Sequence, residues 1–148
     1  MTAVTHTGPW LGAHMSIAGG MDKAIERGHQ VGCDVIQVFT KSSRQWAAKP
    51  YADEEVAAFR KNQAAMQIRT VIAHDSYLLN LGTPEPGLRK RSIAAFVDEM
   101  ERCEALAIPY LIAHPGAHVG SGEEAGMKTI SASLDEALAA TKGFHVQP

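Results

Sequence analysis

Four times along this chain a short apolar run is followed by a longer stretch with apolar residues at helical spacing, and no other element intervenes. The runs are residues 10–14, 34–40, 70–73 and 110–113. Alternation of this kind implies parallel strands joined by right-handed helical crossovers. The expected fold is therefore α/β with four strand–helix units. A doubly wound sheet and a barrel both satisfy the alternation. No strand is followed by a G-x-G-x-x-G or Walker loop, which counts against a nucleotide-binding doubly wound sheet. Three of the runs end in the same dipeptide, Ala13-His14, Ala73-His74 and Ala113-His114, which favours a barrel with histidines on one rim. A complete eight-fold barrel takes about 250 residues, so four units amount to about half of one.

The helical stretches carry Met21, Ala24, Ile25 and Gly28, then Val56, Phe59 and Met66, then Ile93, Phe96, Val97, Met100 and Cys103. Each set recurs as one face of a helix does. Met127, Ile130, Leu134 and Leu138 predict a fourth core-facing stripe, closed at Lys142 and Gly143. Thr70-Val71-Ile72-Ala73 suits a strand covered on both faces. Residues 1–9 read as a loose lead, 10–143 as the half-barrel and 144–148 as a short tail.

Composition narrows the partners. With 148 residues, 45% hydrophobic and 20% charged, the chain can bury an ordinary globular core. A net charge of -2 excludes broad, nonspecific coating of nucleic acid, though not a local basic groove. No apolar run reaches the roughly 20 residues of a membrane span, and residues 1–9 do not form a secretory signal. Cys33 and Cys103 lack metal spacing and read as reduced, packed thiols of a cytoplasmic protein. Nothing near Cys103 in sequence would lower its pKa, so it reads as core and not as a nucleophile.

Chemistry is expected where strands end. His74-Asp75 opens a loop that continues through Ser76, Tyr77, Leu78, Leu79 and Asn80 to Gly82; His114-Pro115-Gly116-Ala117-His118 follows the fourth run. Two histidines at the same depth on one rim are the start of a metal site, because imidazole suits zinc and similar ions, but two ligands do not complete it. Taken alone, His74 and His114 read more simply as hydrogen-bonded rim histidines without a metal. His14 and His118 read as structural. Tyr77 and Leu78 could be loop core. Lys41, Arg44 and Trp46 could form a solvated loop with one packed aromatic, and Arg89-Lys90-Arg91 reads as a solvated helix face.

HDSYLLNLG, LGAHMSIAGG, FTKSSRQW, FVDEMERC and AHPGAH, in their places along the chain, resemble the endonuclease IV family of apurinic/apyrimidinic endonucleases, from Leu11 to about Gly143. The resemblance implies the N-terminal half of a TIM barrel. It also implies a zinc-dependent enzyme that cuts double-stranded DNA 5′ to abasic sites with three clustered zinc ions. Family ligands fall on His74 and His114, which share a zinc with a glutamate from a fifth strand. Residues that probe DNA at the lesion fall on Arg44, Tyr77 and Leu78. The chain departs from the family in two places. Ala117 stands where the family has serine, and Phe144-His145-Val146-Gln147-Pro148 does not match the fifth strand or bring its glutamate. Three states are expected in order: an inactive truncated product of a longer gene, a homodimer closing one barrel through its open edges, and a metal-free DNA-binding module. A sugar isomerase or epimerase of the same barrel superfamily is the remaining alternative.

Overall fold

The computed structural model describes residues 8–148, so most of the lead expected over residues 1–9 lies outside the described residues. The element order is β1 (Gly12–His14), α1 (Met21–Gln30), β2 (Val35–Phe39), α2 (Asp53–Ala65), β3 (Thr70–His74), α3 (Pro86–Leu106), β4 (Leu111–Ile112) and α4 (Glu123–Ala140). All four strands are parallel and lie in the order β1-β2-β3-β4. Each crossover thus returns to the next position of the sheet and the order never reverses. That is how a barrel grows, whereas a doubly wound sheet reverses at a switch point. The chain is a partial TIM barrel of four βα units.

Along β2 and β3 every second residue is buried. Ile36, Val38, Val71 and Ala73 join Ala24, Ile25, Phe59, Phe96 and Met100 in one hydrophobic core under the helices. Val35, Gln37, Phe39, Thr70, Ile72 and His74 occupy the other face and stay partly open. The expectation that the third strand is covered on both faces is therefore corrected. Only the helix-facing side is sealed, because the opposite side is the barrel interior and four strands do not enclose it.

Local signals explain the helix boundaries. In α1 the buried residues are Met21, Ala24, Ile25 and Gly28, the predicted face. Asp53, Glu54 and Glu55 fill the first turn of α2, where the helix dipole favours acids, and Glu55 accepts the N–H of Ala52 at 2.8 Å. Pro86 opens α3 behind Glu85, whose carboxylate accepts the N–H groups of Gly87 and Leu88. Ala107 ends α3 in the left-handed region at φ 56°.

The fourth helix forms as expected, but its apolar stripe is covered only in part, with Ile130 and Leu134 half-buried. Met127 and Leu138 are 64% and 45% exposed, and the buried residues of α4 are Gly126, Ser133 and Ala137. Small side chains let α4 lie close to its neighbours. Ser133 Oγ donates to the carbonyl of Leu81 at 2.8 Å and accepts Arg89 Nε of α3 at 2.9 Å. Arg89 is therefore an interhelical brace and not a solvated residue. The helix also stops at Ala140, short of the glycine, with Thr141 as its C-cap.

The last residues carry a second difference. Gln147 forms a parallel bridge with Tyr110, its N–H donates to Pro109 O at 2.9 Å, and its carbonyl accepts Leu111 N–H at 2.9 Å. Val146 is buried, and the Glu104 carboxylate accepts the N–H groups of His145 and Val146 at 2.8 and 3.2 Å. The sequence of this segment does not resemble a fifth strand, yet its backbone lies where one would begin, beside β4. Main-chain pairing needs no particular side chains. Among the described residues no helix is long and apolar enough to cross a membrane.

Candidate metal centre and nucleic-acid interface

Parallel pairing in register sets the rim. Phe39 is the partner of His74, and His74 that of Ile112, so the ends of β2, β3 and β4 lie level. Aromatic rings line that edge in sequence. His14 and Phe39 have centroids 4.5 Å apart, Phe39 and His74 5.6 Å, and His74 and His114 4.9 Å. Tyr77 stands over the group, 5.3 Å from His74, 5.7 Å from His114 and 5.7 Å from Phe39. The two histidines singled out in the sequence are thus brought side by side, and Tyr77 joins them.

Hydrogen bonding fixes how His74 presents itself. Its Nδ1 lies 2.8 Å from the carbonyl oxygen of Asp75. A carbonyl only accepts, so Nδ1 carries the proton and Nε2 keeps its lone pair for a ligand. Metal-binding histidines are commonly oriented in this way by a backbone carbonyl. Asp75 is fully buried and accepts the backbone N–H of His114 through both carboxylate oxygens, at 3.3 and 3.2 Å. Burial pushes its carboxyl up from the ordinary range, and the N–H of His114 and the two nearby histidines pull against that shift.

The two remaining rim histidines have hydrogen-bond partners of their own. His14 Nδ1 is 3.0 Å from Gln37 Oε1. His118 Nδ1 accepts the N–H groups of Gly120 and Gly122, both at 3.2 Å, so the ring braces the loop ahead of α4. Two imidazoles fit two positions of a zinc shell. Among the described residues no group of three or more histidine, cysteine, aspartate or glutamate side chains is placed to hold a metal. The donor set fits zinc as a partial site.

The other residues singled out lie in two touching loops. Tyr77 is 69% exposed, while Leu78 is half-buried against the core. Arg44 is exposed in the loop after β2. Ser76 Oγ donates to the carbonyl of Ser43 at 2.7 Å, which joins this loop to the one bearing Tyr77. Trp46 is half-buried beneath the Arg91 guanidinium, 4.1 Å from its ring centre. Arg91 itself stays exposed, as expected of a solvated helix face. Lys41 is not solvated: it is buried, with Nζ 2.7 Å from Glu99 and 2.9 Å from Asp98.

Three polar residues of this region escaped the sequence reading. Asp75 and Asn80 lie in a loop, where no periodicity marks burial. Asn80 Oδ1 accepts the N–H groups of Gly82 and Ala117 at 3.0 and 2.9 Å, clipping the His114 loop to the Tyr77 loop. Glu99 did leave a signal. It sits three residues after Phe96 and four before Cys103, inside the apolar stripe of α3, where a charge needs a partner.

Comparison with known proteins agrees with the fold. The family described as xylose isomerase-like TIM barrel matches residues 25–147. A probable endonuclease 4 of Chloroflexus aggregans is 53% identical over 131 residues, which are 88% of this chain and 46% of that protein. One from Geobacter sulfurreducens is 49% identical over 135 residues, 91% of this chain and 46% of that protein. The chain spans about half the length of these curated relatives. The crystal structure of endonuclease IV from Thermus thermophilus superposes with a TM-score of 0.78 at 33% identity, over 89% of this chain and 47% of that one. D-psicose 3-epimerase from Clostridium cellulolyticum superposes with a TM-score of 0.68 at 16% identity, over 93% of this chain and 50% of that one, a likeness of fold alone. The chain therefore belongs to the xylose isomerase-like TIM barrel family, and within it to the endonuclease IV group, of which it represents about half a barrel.

Proposed function

We propose that this chain supplies the lesion-probing loops and two of the zinc ligands of a DNA repair endonuclease that hydrolyses the phosphodiester 5′ to apurinic/apyrimidinic sites. The observation that carries the reading is the pairing of His74 and His114 at 4.9 Å beneath an exposed Tyr77, with the Arg44 loop bonded to the same segment.

His74, through Nε2, and His114 would hold the metal. Zinc, when bound, supplies Lewis-acid stabilisation and an activated water at a phosphodiester. The chain's own residues do the rest of what can be assigned. Asp75 holds the His114 backbone and so keeps the second imidazole beside the first. Tyr77 projects from the rim, backed by Leu78, as a wedge for the gap left by a missing base. Unstacking and bending cost less at such a gap than in intact duplex. Arg44 supplies positive charge beside that wedge for the DNA backbone. Cys33 and Cys103 are unpaired, as suits a reducing compartment such as the cytoplasm.

On the open face of the sheet Ile112 is exposed, beside the half-open Val35, Gln37, Ile72 and His74. We assign the cover of this face to the second half of a barrel, carried by the same protein or by a second copy. A monomer at all concentrations in sedimentation would exclude the second copy.

The test is incision of a duplex carrying one abasic site. It compares this chain alone with a fusion to the remaining half of the Chloroflexus aggregans relative. The fusion is expected to cut in a chelator-sensitive way, and His74→Ala should abolish cutting. A folded fusion that epimerises a ketose and leaves the DNA uncut would contradict the proposal and favour the epimerase-like reading.

A further inference from the structure

The most costly feature beneath the rim is one that the chemistry above does not use. Lys41, two residues beyond the end of β2, and Glu99, in the middle of α3, are both buried side chains at 2% exposure. Lys41 Nζ donates to Glu99 Oε1 at 2.7 Å. The same oxygen accepts the backbone N–H of Ser76 at 3.2 Å, and Glu99 Oε2 is buried without a hydrogen-bond partner. Desolvation raises the pKa of Glu99 in spite of the lysine. A buried ion pair with an unsatisfied oxygen does not add stability over well-packed apolar side chains of similar volume. Its use lies in what it connects.

Those connections run to both loops that face DNA in the reading above. Lys41 begins the loop that carries Arg44. Ser76 sits one residue before Tyr77, and beyond its bond to Glu99 its hydroxyl donates to Ser43 O at 2.7 Å and accepts Leu78 N–H at 3.3 Å. One carboxylate oxygen therefore ties the roots of the two loops to each other and to α3. We propose that the Lys41–Glu99 pair is a positioning device. It holds the Arg44 loop and the Tyr77–Leu78 loop as one rigid unit and thereby sets the affinity for abasic duplex. The coupling of the loops stands on these contacts alone; its effect on affinity rests on the function proposed above.

The test uses the full chain and two variants, Glu99→Gln and the double Lys41→Met/Glu99→Met. Amide hydrogen exchange is read at Gln45 and Leu79, whose N–H groups bond to Ser42 O and Ser76 O and not to Glu99. Affinity is read by anisotropy with a labelled duplex containing one tetrahydrofuran site, and Tm is read in parallel. Glu99→Gln keeps an oxygen that Ser76 N–H can use but removes the charge that holds it and Lys41, so it should speed exchange at both amides about fivefold, with the amides of β2 and β3 unchanged, and weaken abasic binding to a like extent, the difference between a charged and a neutral hydrogen bond. The double variant should recover part of the lost Tm while binding stays weak, because apolar side chains fill the space but leave Asp98 without Lys41 and offer Ser76 no acceptor. Recovery of affinity together with Tm would make the pair merely structural and overturn the proposal. Unchanged exchange at Gln45 and Leu79 in Glu99→Gln would overturn the coupling itself. A wild-type chain that does not prefer abasic duplex would instead remove the functional reading and the affinity effect with it, while the exchange result still decides the coupling.

Discussion

Asp75 grips the backbone N–H of His114 with both carboxylate oxygens, at 3.3 and 3.2 Å, from a fully buried position beside His74. One side chain on the β3 loop thus fixes the start of the β4 loop, and the spacing of the two imidazoles depends on it. Asp75→Ala is expected to leave the His114 N–H unsatisfied and to cost about 1–3 kcal/mol in urea denaturation. Asp75→Asn keeps one accepting oxygen and should cost less. Equal stability for wild type and Asp75→Ala would show that the contact contributes nothing.

The same two loops meet again at Gly116. Its φ is +105°, and a Cβ there would collide with Asn80 Oδ1 and come within 2.9 Å of Leu81 N and 3.0 Å of Gly82 N. Gly116→Ala should lower stability by about 1 kcal/mol or more. It should also displace the loop that carries His114. Two-dimensional NMR should then show the largest shifts at Asn80, Gly82 and Ala117, and shifts confined to residue 116 would contradict this.

Alkaline stability follows from one buried and one half-buried acid. Burial pushes the Cys103 thiol up to about 12 from an ordinary 9.0, and the Glu99 carboxylate adds to the shift. Burial likewise carries the Tyr51 hydroxyl to about 12 from 10.0, with the Arg102 charge pulling it back. Tyr51 donates to the carbonyl of Thr40, which accounts for its position. For both groups the native state binds the proton more tightly than the unfolded state. Their stabilising effect is complete below the unfolded pKa and is lost as pH rises through the folded value, a window from about 9 to 12. The urea midpoint should hold from pH 7 to 8 and fall above pH 9, and the fall should be shallower in Cys103→Ala. Under native conditions at pH 8 a thiol reagent should modify Cys33 and spare Cys103.

Much of this arrangement was legible in the residues. Apolar runs and helical spacing marked every strand and helix because period and burial are the same information in an element with one covered face. Ala73-His74 and Ala113-His114 marked the rim, although the register sets His74 against Ile112 and leaves His114 two residues further on, in the loop after β4. What stayed hidden was polar and internal. Lys41 looked like part of a basic loop, since nothing in its neighbourhood announces a partner on α3. Asn80 and Asp75 clip backbone groups of a distant loop, a role with no spacing of its own. In α4 the sequence pattern misled in part. Gly126, Ser133 and Ala137 form the docking face because close approach favours small side chains, and Met127 is left 64% exposed. Backbone pairing of Gln147 with Tyr110 carries no side-chain signature at all.

The most direct measurement is the affinity of this chain for a duplex with one abasic analogue against the same duplex intact, at fixed salt, with Tyr77→Ala and Arg44→Ala beside the wild type. The account predicts tighter binding to the abasic duplex by about tenfold, within the 1–3 kcal/mol of one stacking side chain. Tyr77→Ala should erase that preference, whereas Arg44→Ala should weaken binding to both duplexes and reduce the salt dependence by about one charge. Equal affinity of the wild-type chain for the two duplexes would contradict the assignment of this rim to damaged DNA.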